Sequence, residues 1–252
     1  MTDVLAGAEP SFYEGGPIGI VCVHGFGGTP YTLRPVALEL AERGYTVSVP
    51  RLPGHGTSAA DMATTGWTDW LSEVDRATAE VADCCERVFL VGLSMGATLS
   101  LAAGASRSDL AGLVVINPLL DIDPDMIEQV KMFLDSGAVE TDDGPSDISD
   151  STVVEIGYDT VPLASLLELY TGAAATLATL DQVKAQTLVI TSRNDHVVPT
   201  DNSELVVKAL GKQADQLWLE RSFHVATLDV EHTVISDSVN DFIAKICNAP
   251  AN

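Results

Sequence analysis

The sequence predicts an α/β fold: a mostly parallel central sheet with helices on both faces. Three observations carry that expectation. Short apolar runs rich in β-branched residues recur along the chain, among them IGIVCV at 18–23, VFLVGL at 88–93, LAGLVVIN at 110–117 and TLVIT at 187–191. Such runs read as strands buried on both faces. Helical patterns of about 12–18 residues separate most of them, which implies parallel crossovers. The run at 88–93 passes straight into Gly92-Leu93-Ser94-Met95-Gly96, with an apolar helical run at 97–105 behind it.

At 252 residues with 46% hydrophobic content, the chain is expected to form one large domain, or one domain carrying an insertion. No run approaches about 18 uninterrupted apolar residues, so no membrane span is expected. The first sixteen residues, MTDVLAGAEPSFYEGG, lack a basic segment followed by an apolar one. The expectation is therefore no secretory signal and a cytoplasmic location. Acids outnumber bases 36 to 13, for a net charge of −23. Such a surface repels nucleic acid and anionic headgroups, and argues against both as partners. A highly soluble surface and adaptation to salty surroundings account for it equally well. Cys84 and Cys85 are adjacent, Cys22 lies in an apolar strand and Cys247 is near the end. No C-x-x-C and no Cys/His cluster at metal spacing occurs, so reduced thiols and no metal are expected.

In chain order, the strand at 18–23 leads into His24-Gly25-Phe26-Gly27-Gly28-Thr29-Pro30. A glycine-rich loop there either lets backbone N–H groups converge on an anion or is a tight connection. A helix over 32–43 follows, with Pro35 in its first turn and Gly44 ending it. Residues 45–50 read as a strand. Arg51-Leu52-Pro53-Gly54-His55-Gly56-Thr57 is dense in turn residues, so His55 reads as loop-shaping rather than as a base. Thr68 is a fair N-cap for a helix over 68–86, with Leu71, Val74, Ala77 or Thr78, and Val81 on one face. Trp67 and Trp70 read as core anchors.

After the strand at 110–117 the rhythm breaks. Residues 118–181 read as an insertion covering the sheet's C-terminal edge, between core segments 1–117 and 182–252. Within it, 125–134 predicts a helix opened by Asp121-Ile122-Asp123-Pro124. Residues 136–150 are acidic, rich in Gly, Pro and Ser, and poor folders by themselves. Residues 161–178 predict a helix with Leu163, Leu166, Leu167, Tyr170, Ala174 and Leu177 on one face. Such insertions gate water and shape apolar pockets. The sheet resumes at 187–191, immediately before Ser192-Arg193-Asn194-Asp195-His196-Val197-Val198-Pro199. The last strand is 217–219, followed by Ser222-Phe223-His224. A final helix is expected over 231–246, and no internal repeat is visible.

Ser94 sits in a G-x-S-x-G turn between strand and helix, a context that lifts a hydroxyl clear of the sheet. Ser94, Asp195 and His224 follow one another as nucleophile, acid and base, each just beyond a predicted strand. The chemistry needs the set. A serine hydroxyl is a weak nucleophile until an imidazole takes its proton, and a carboxylate fixes that imidazole's tautomer. The N–H groups of Met95 and Phe26 are candidate donors to an oxyanion. Asp201, His196 and His232 are weaker candidates for acid and base. Asp201 falls in a helical start that it would cap, His232 lies in the first turn of the last helix, and His196 points away from the serine. Gly25, Leu119, Val197 and Val225 are candidate substrate contacts.

The chain resembles the bacterial carboxylesterase/monoacylglycerol lipase group of α/β hydrolases. The resemblance rests on VCVHGFGGTP (21–30), GYTVSVPRLPGHGT (44–57), the Trp67–Trp70 pair, VGLSMGA (91–97), SRNDHVV (192–198) and SFHVATLD (222–229). It spans nearly the whole chain outside 118–181. It implies an α/β-hydrolase fold with a small cap. It also implies a cofactor-free serine esterase, monomeric or loosely dimeric, cleaving short- to medium-chain esters or monoacylglycerols. Ser94, Asp195, His224, Phe26 and Met95 match the family's positions one for one. Thioesterase, C–C hydrolase or peptidase chemistry on the same triad remains open, since one fold hosts many reactions. A non-catalytic ligand receptor is disfavoured because no triad residue is missing.

Overall fold

The computed structural model describes residues 3–142, 144 and 146–248. The chain opens with β1 (Ser11–Tyr13) and β2 (Ile18–Val23), and a 3₁₀ turn at Pro30–Leu33 leads into α1 (Arg34–Glu42). Then come β3 (Thr46–Val49), α2 (Ala59–Met62), α3 (Trp67–Ala82), β4 (Arg87–Leu93), α4 (Met95–Ser106) and β5 (Gly112–Ile116). The 118–181 segment supplies α5 (Pro124–Asp135), β6 (Glu140–Asp142), β7 (Thr160–Pro162) and α6 (Leu163–Leu177). The chain ends with β8 (Gln186–Ser192), α7 (Asp201–Leu210), β9 (Ala214–Leu219) and α8 (His232–Asn248).

Seven strands form one sheet in the order β1-β3-β2-β4-β5-β8-β9, and β6 pairs with β7 apart from it. Every neighbouring pair in the large sheet is parallel except β1 with β3. Alternate side chains of each strand enter opposite cores. Val21, Val23, Val88 and Leu90 pack on the face covered by α3, α4 and α7. Ile20, Cys22, Phe89 and Val91 pack on the face covered by α1 and α8. With both faces buried, β2, β5 and the inner residues of β4 and β8 are continuous apolar runs, and this is why they were readable.

Departures from expectation have local causes. The 32–43 helix begins as 3₁₀, and α1 takes Pro35 in its first turn. Thr68 is not the cap of α3. Gly66 is, and its N–H donates to the Asp69 carboxylate at 3.0 Å. The last strand starts at Ala214, three residues before the apolar signal, because Asp215 and Gln216 in its first half are polar and exposed. β1, α2 and the β6–β7 pair are too short to have been foreseen. The buried stripe of α6 includes Leu163, Leu169, Tyr170 and Ala173, so Ala173 rather than Ala174 faces inward. Trp70 is fully buried and donates its indole N–H to the Pro53 carbonyl at 3.1 Å, as suits a core anchor.

Candidate active site

Ser94 occupies the turn between β4 and α4 with φ 55° and ψ −120°, a region that side-chain-bearing residues rarely adopt. Two glycines make this turn possible. A Cβ on Gly92 would overlap the Gly96 carbonyl, and one on Gly96 would overlap the Val23 carbonyl. Neither neighbour is a side chain that could rotate away. The Ser94 N–H donates to the Ile116 carbonyl at 2.9 Å, tying the turn to the end of β5. The Ser94 carbonyl accepts from Ala97 N at 2.9 Å and Thr98 N at 3.1 Å, which starts α4. The serine side chain stays half-buried at the rim.

Asp195 and His224 meet directly. His224 Nδ1 lies 2.7 Å from Asp195 Oδ2, and the two side chains are 9% and 2% exposed. The other carboxylate oxygen of Asp195 accepts from the N–H groups of Val197 and Val198, both at 2.8 Å. Asp195 is thereby held with one oxygen on its own loop and one on the imidazole. With Nδ1–H committed to Asp195, the Nε2 lone pair is the accepting one.

Asn117 links these parts. It follows β5 with φ 47°, a conformation asparagine tolerates better than most residues. Its side chain donates to the His224 carbonyl at 2.8 Å and to Ser192 Oγ at 3.0 Å, and accepts from Ser192 N at 2.8 Å. Its backbone neighbour Ile116 is the acceptor for Ser94 N–H. The nucleophile turn and the histidine loop therefore hang on adjacent residues, at the C-terminal ends of adjacent strands β4, β5 and β8.

The loop after β2 lies beside the serine. A Cβ on Gly25 would lie 3.4 Å from Ser94 Cβ. Among the described residues, no hydrogen bond takes up the N–H of Phe26 or of Met95. His24 shapes this loop from behind. Its Nε2 accepts from Leu52 N at 3.1 Å, so Nδ1 carries the proton that it donates to the Gly25 carbonyl at 2.9 Å. Burial, with His55 nearby, pushes the His24 pKa down to about 3. Burial likewise takes His55 down to about 4. Both rings are neutral at working pH. His55 donates to Pro53 O at 3.0 Å and stacks edge-on against His24, Phe26 and Trp70. It belongs to the loop's packing, as its glycine and proline neighbours suggested.

Among the described residues, the side chains of Asp201, His196 and His232 make no hydrogen bond to Ser94, Asp195 or His224. Asp201 is the first residue of α7 and makes no side-chain cap bond, contrary to the capping role expected of it. His196 Nδ1 pairs with Asp147 at 2.8 Å. His232 donates to the Asp229 carbonyl at 2.9 Å. Of the candidate substrate contacts, Leu119 is half-buried and Val225 is 6% exposed, in the core against which Ile148 and Val153 pack. Val197 is 59% exposed, and its N–H serves the Asp195 carboxylate.

Sequence reasoning missed the groups that hold the acid and base loops. Asp229 and Glu231 are almost fully buried. Glu231 accepts from Arg221 N, Ser222 N and Ser222 Oγ at 2.7–2.9 Å. Asp229 accepts from Phe223 N at 2.8 Å and from Ser149 N and Oγ at 2.8 and 2.6 Å. Burial works to raise the pKa of each carboxyl, and the hydrogen bonds outweigh it, so both lie below the ordinary range. Among the described residues, no group of three His, Cys, Asp or Glu could hold a metal ion. No described helix is long and apolar enough to cross a membrane.

A strained serine between strand and helix, with an aspartate–histidine pair at the same sheet edge, defines a class of protein. The chain belongs to the alpha/beta hydrolase family, which its residues 20–240 match. It is 38% identical over 249 residues to a thermostable monoacylglycerol lipase of Bacillus sp. strain H-257, covering 96% of each chain. It is 26% identical over 242 residues to a carboxylesterase of Bacillus subtilis strain 168, covering 94% of this chain and 97% of that one. It is also similar to a solved structure described with LipS and LipT, two metagenome-derived lipolytic enzymes. There the TM-score is 0.92 at 38% identity, covering 96% of this chain and 100% of the other.

Proposed function

We propose that this protein hydrolyses carboxylic esters of short- to medium-chain acyl groups, monoacylglycerols among them, through an acyl-enzyme on Ser94. The observation that carries the proposal is the 2.7 Å Asp195–His224 pair at the same rim as the strained Ser94 turn. The relatives support the substrate class: one is named a monoacylglycerol lipase and another a carboxylesterase.

Ser94 Oγ attacks the ester carbonyl while its proton passes to His224 Nε2. The imidazolium is stabilised by Asp195. Negative charge collects on the former carbonyl oxygen, where the N–H groups of Phe26 and Met95 receive it. One such donor is typically worth about 100- to 1,000-fold in turnover. The C–O bond then breaks, His224 returns the proton to the departing alcohol, and the acyl group stays on Ser94. Water, deprotonated by the same imidazole, releases the carboxylic acid. No step calls for a cofactor. Residues 118–181 act as a cap over this edge, and α6 residues Leu163, Leu169 and Tyr170 belong to the same apolar core against which Phe26 and Leu119 pack. In this reading the enzyme works in the cytoplasm on dispersed or micellar neutral esters, as a monomer or weak homodimer. The net charge of −23 disfavours anionic surfaces.

The test is an acyl-chain-length series on p-nitrophenyl esters and monoacylglycerols, with Ser94→Ala beside the wild type. Turnover should fall by about 10⁶-fold in the variant, as for other serine triads. A fluorophosphonate should label Ser94 stoichiometrically. Ester turnover surviving in Ser94→Ala would defeat the proposal.

A further inference from the structure

The acidic stretch before α6 makes a contact that the proposed reaction does not by itself require. Asp147 lies in the 118–181 segment, far in sequence from both the acid and the base. One carboxylate oxygen, Oδ2, accepts from the backbone N–H of His196 and of His224, each at 3.0 Å. The other, Oδ1, lies 2.8 Å from His196 Nδ1. The Asp147 carbonyl accepts from Val225 N at 3.1 Å. One residue therefore collects donors from the residue after Asp195, from His224 itself and from the residue after His224. Its side chain is only 14% exposed. Burial favours the neutral acid, but the bonds from His196 and His224 outweigh it and hold the carboxyl below its ordinary range. The His196 ring stands edge-on to Phe223 with centroids 4.6 Å apart, which closes the same cluster from outside.

The Asp195–His224 hydrogen bond joins two loops that leave two different strands. Its length and direction depend on how those loops sit relative to each other. Near the sheet they are tied by Asn194 Nδ2 to the Glu220 carbonyl at 2.9 Å and by Ser192 Oγ to the Phe223 carbonyl at 2.8 Å. Farther out, Asp147 spans them. Two residues on, Ser149 and Asp150 donate to Asp229, so the same stretch is anchored to the base loop a second time.

We propose that Asp147 is a positioning residue, a carboxylate of the cap segment that clamps the acid loop to the base loop and so makes triad alignment depend on the cap being seated. The proposal rests on the acyl-enzyme reading above and adds a residue to it. Asp147 touches neither substrate nor reacting atoms. It acts through the backbone of His196 and His224. Misplacing a catalytic group by a fraction of an ångström is enough to cost about an order of magnitude in rate.

The experiment is a double-mutant cycle in kcat and KM on a p-nitrophenyl ester, with melting temperatures measured alongside. Asp147→Ala should lower kcat about 10-fold and leave KM within about twofold. In an Asp195→Asn background the same substitution should cost less than about twofold, because the pair it aligns is already gone. Asp147→Asn should retain kcat within about threefold, since its amide oxygen can still accept both backbone N–H groups. If Asp147→Ala does not fold, Asp147→Ser replaces it in the cycle, its short hydroxyl being unable to span both loops. An equal loss in both backgrounds, a loss confined to KM, or no loss in a folded variant each overturns the clamp. Any of those results with Ser94→Ala inactive leaves the triad standing. Activity that survives Ser94→Ala breaks the triad itself.

Discussion

The two halves of the candidate site are built by different physics. On the nucleophile side, Ser94 is placed by backbone against backbone: Gly92 beneath the Gly96 carbonyl, and Gly96 against the Val23 carbonyl. Every one of these contacts is made by backbone, within the turn itself or against the end of a strand beside it. On the acid–base side, loops 193–200 and 220–231 are placed by side chains reaching across the fold. Asp147 lies 49 residues from His196 and 77 from His224, and Asp229 lies 80 from Ser149. Asn117 lies 107 from the carbonyl it holds. Steric exclusion leaves one half with no slack. Ionised acceptors on many N–H groups leave the other half dependent on charge. The histidine loop thus depends on side chains reaching to it from other segments, where the serine turn depends on backbone contact.

The contrast is broken most sharply at Gly96. In Gly96→Ala the new methyl meets a carbonyl, so β2 and α4 must separate. The expected destabilisation exceeds about 4 kcal/mol, beyond ordinary overpacking, because the neighbour is backbone. Thermal denaturation should show a fall of about 10 °C or more, or no folded protein. A melting temperature within two or three degrees of wild type would mean the turn has slack after all.

Asp229→Ala probes the other half and should cost less, about 2–3 kcal/mol. It strands five donors, from Ser149 N and Oγ, Asp150 N, Phe223 N and Val230 N. Some of them will find water. Asp229→Asn should recover part of the loss, as one amide oxygen still accepts. Equal stability of the wild type and the alanine variant would show that the base loop stands without its carboxylates.

The same contrast explains what was legible in the sequence. The central strands were, since burial on both faces writes them as unbroken apolar runs. The serine turn was, since only glycine fits at Gly92 and Gly96. Asp195 and His224 were placed by their order and by falling just past strands. Asp147, Asp229 and Glu231 were not. In a chain with 36 acidic residues, these three look like the rest of a solvated surface. The role of Asp147 is defined by donors 49 and 77 residues away, and that of Asp229 partly by Ser149, 80 residues away; Glu231 binds donors of its own loop, and no local pattern separates it from a surface acid. The segment 136–150 read as a poor folder for the same reason. Alone it has too little apolar surface to order itself. Ser149 and Asp150 order against Asp229, and Ile148 and Val153 pack against the apolar core that includes Val225.

The smallest effect expected separates the halves by acid. His24 and His55, behind the Phe26 loop, have folded pKa values of about 3 and about 4 against an ordinary 6.5. Below pH 6.5 the unfolded chain binds protons that these buried rings refuse. Stability therefore rises with pH across that window, and is lost as pH falls from about 6.5 toward 4. Each ring should contribute about 1–2 kcal/mol of destabilisation between pH 7 and pH 5. The carboxyls of Asp147, Asp229 and Glu231 are depressed instead, so their contribution is intact above the ordinary values of 3.8 and 4.5. It disappears only as pH drops through the lower folded values. Acid should thus loosen the serine side first and the histidine loop second. His55→Leu isolates the first limb: the gap in melting temperature between pH 7 and pH 5 should shrink, while the fall below pH 4 persists. An unchanged gap would mean that His55 takes up its proton in the folded state as readily as in the unfolded one, and the two limbs would merge into one.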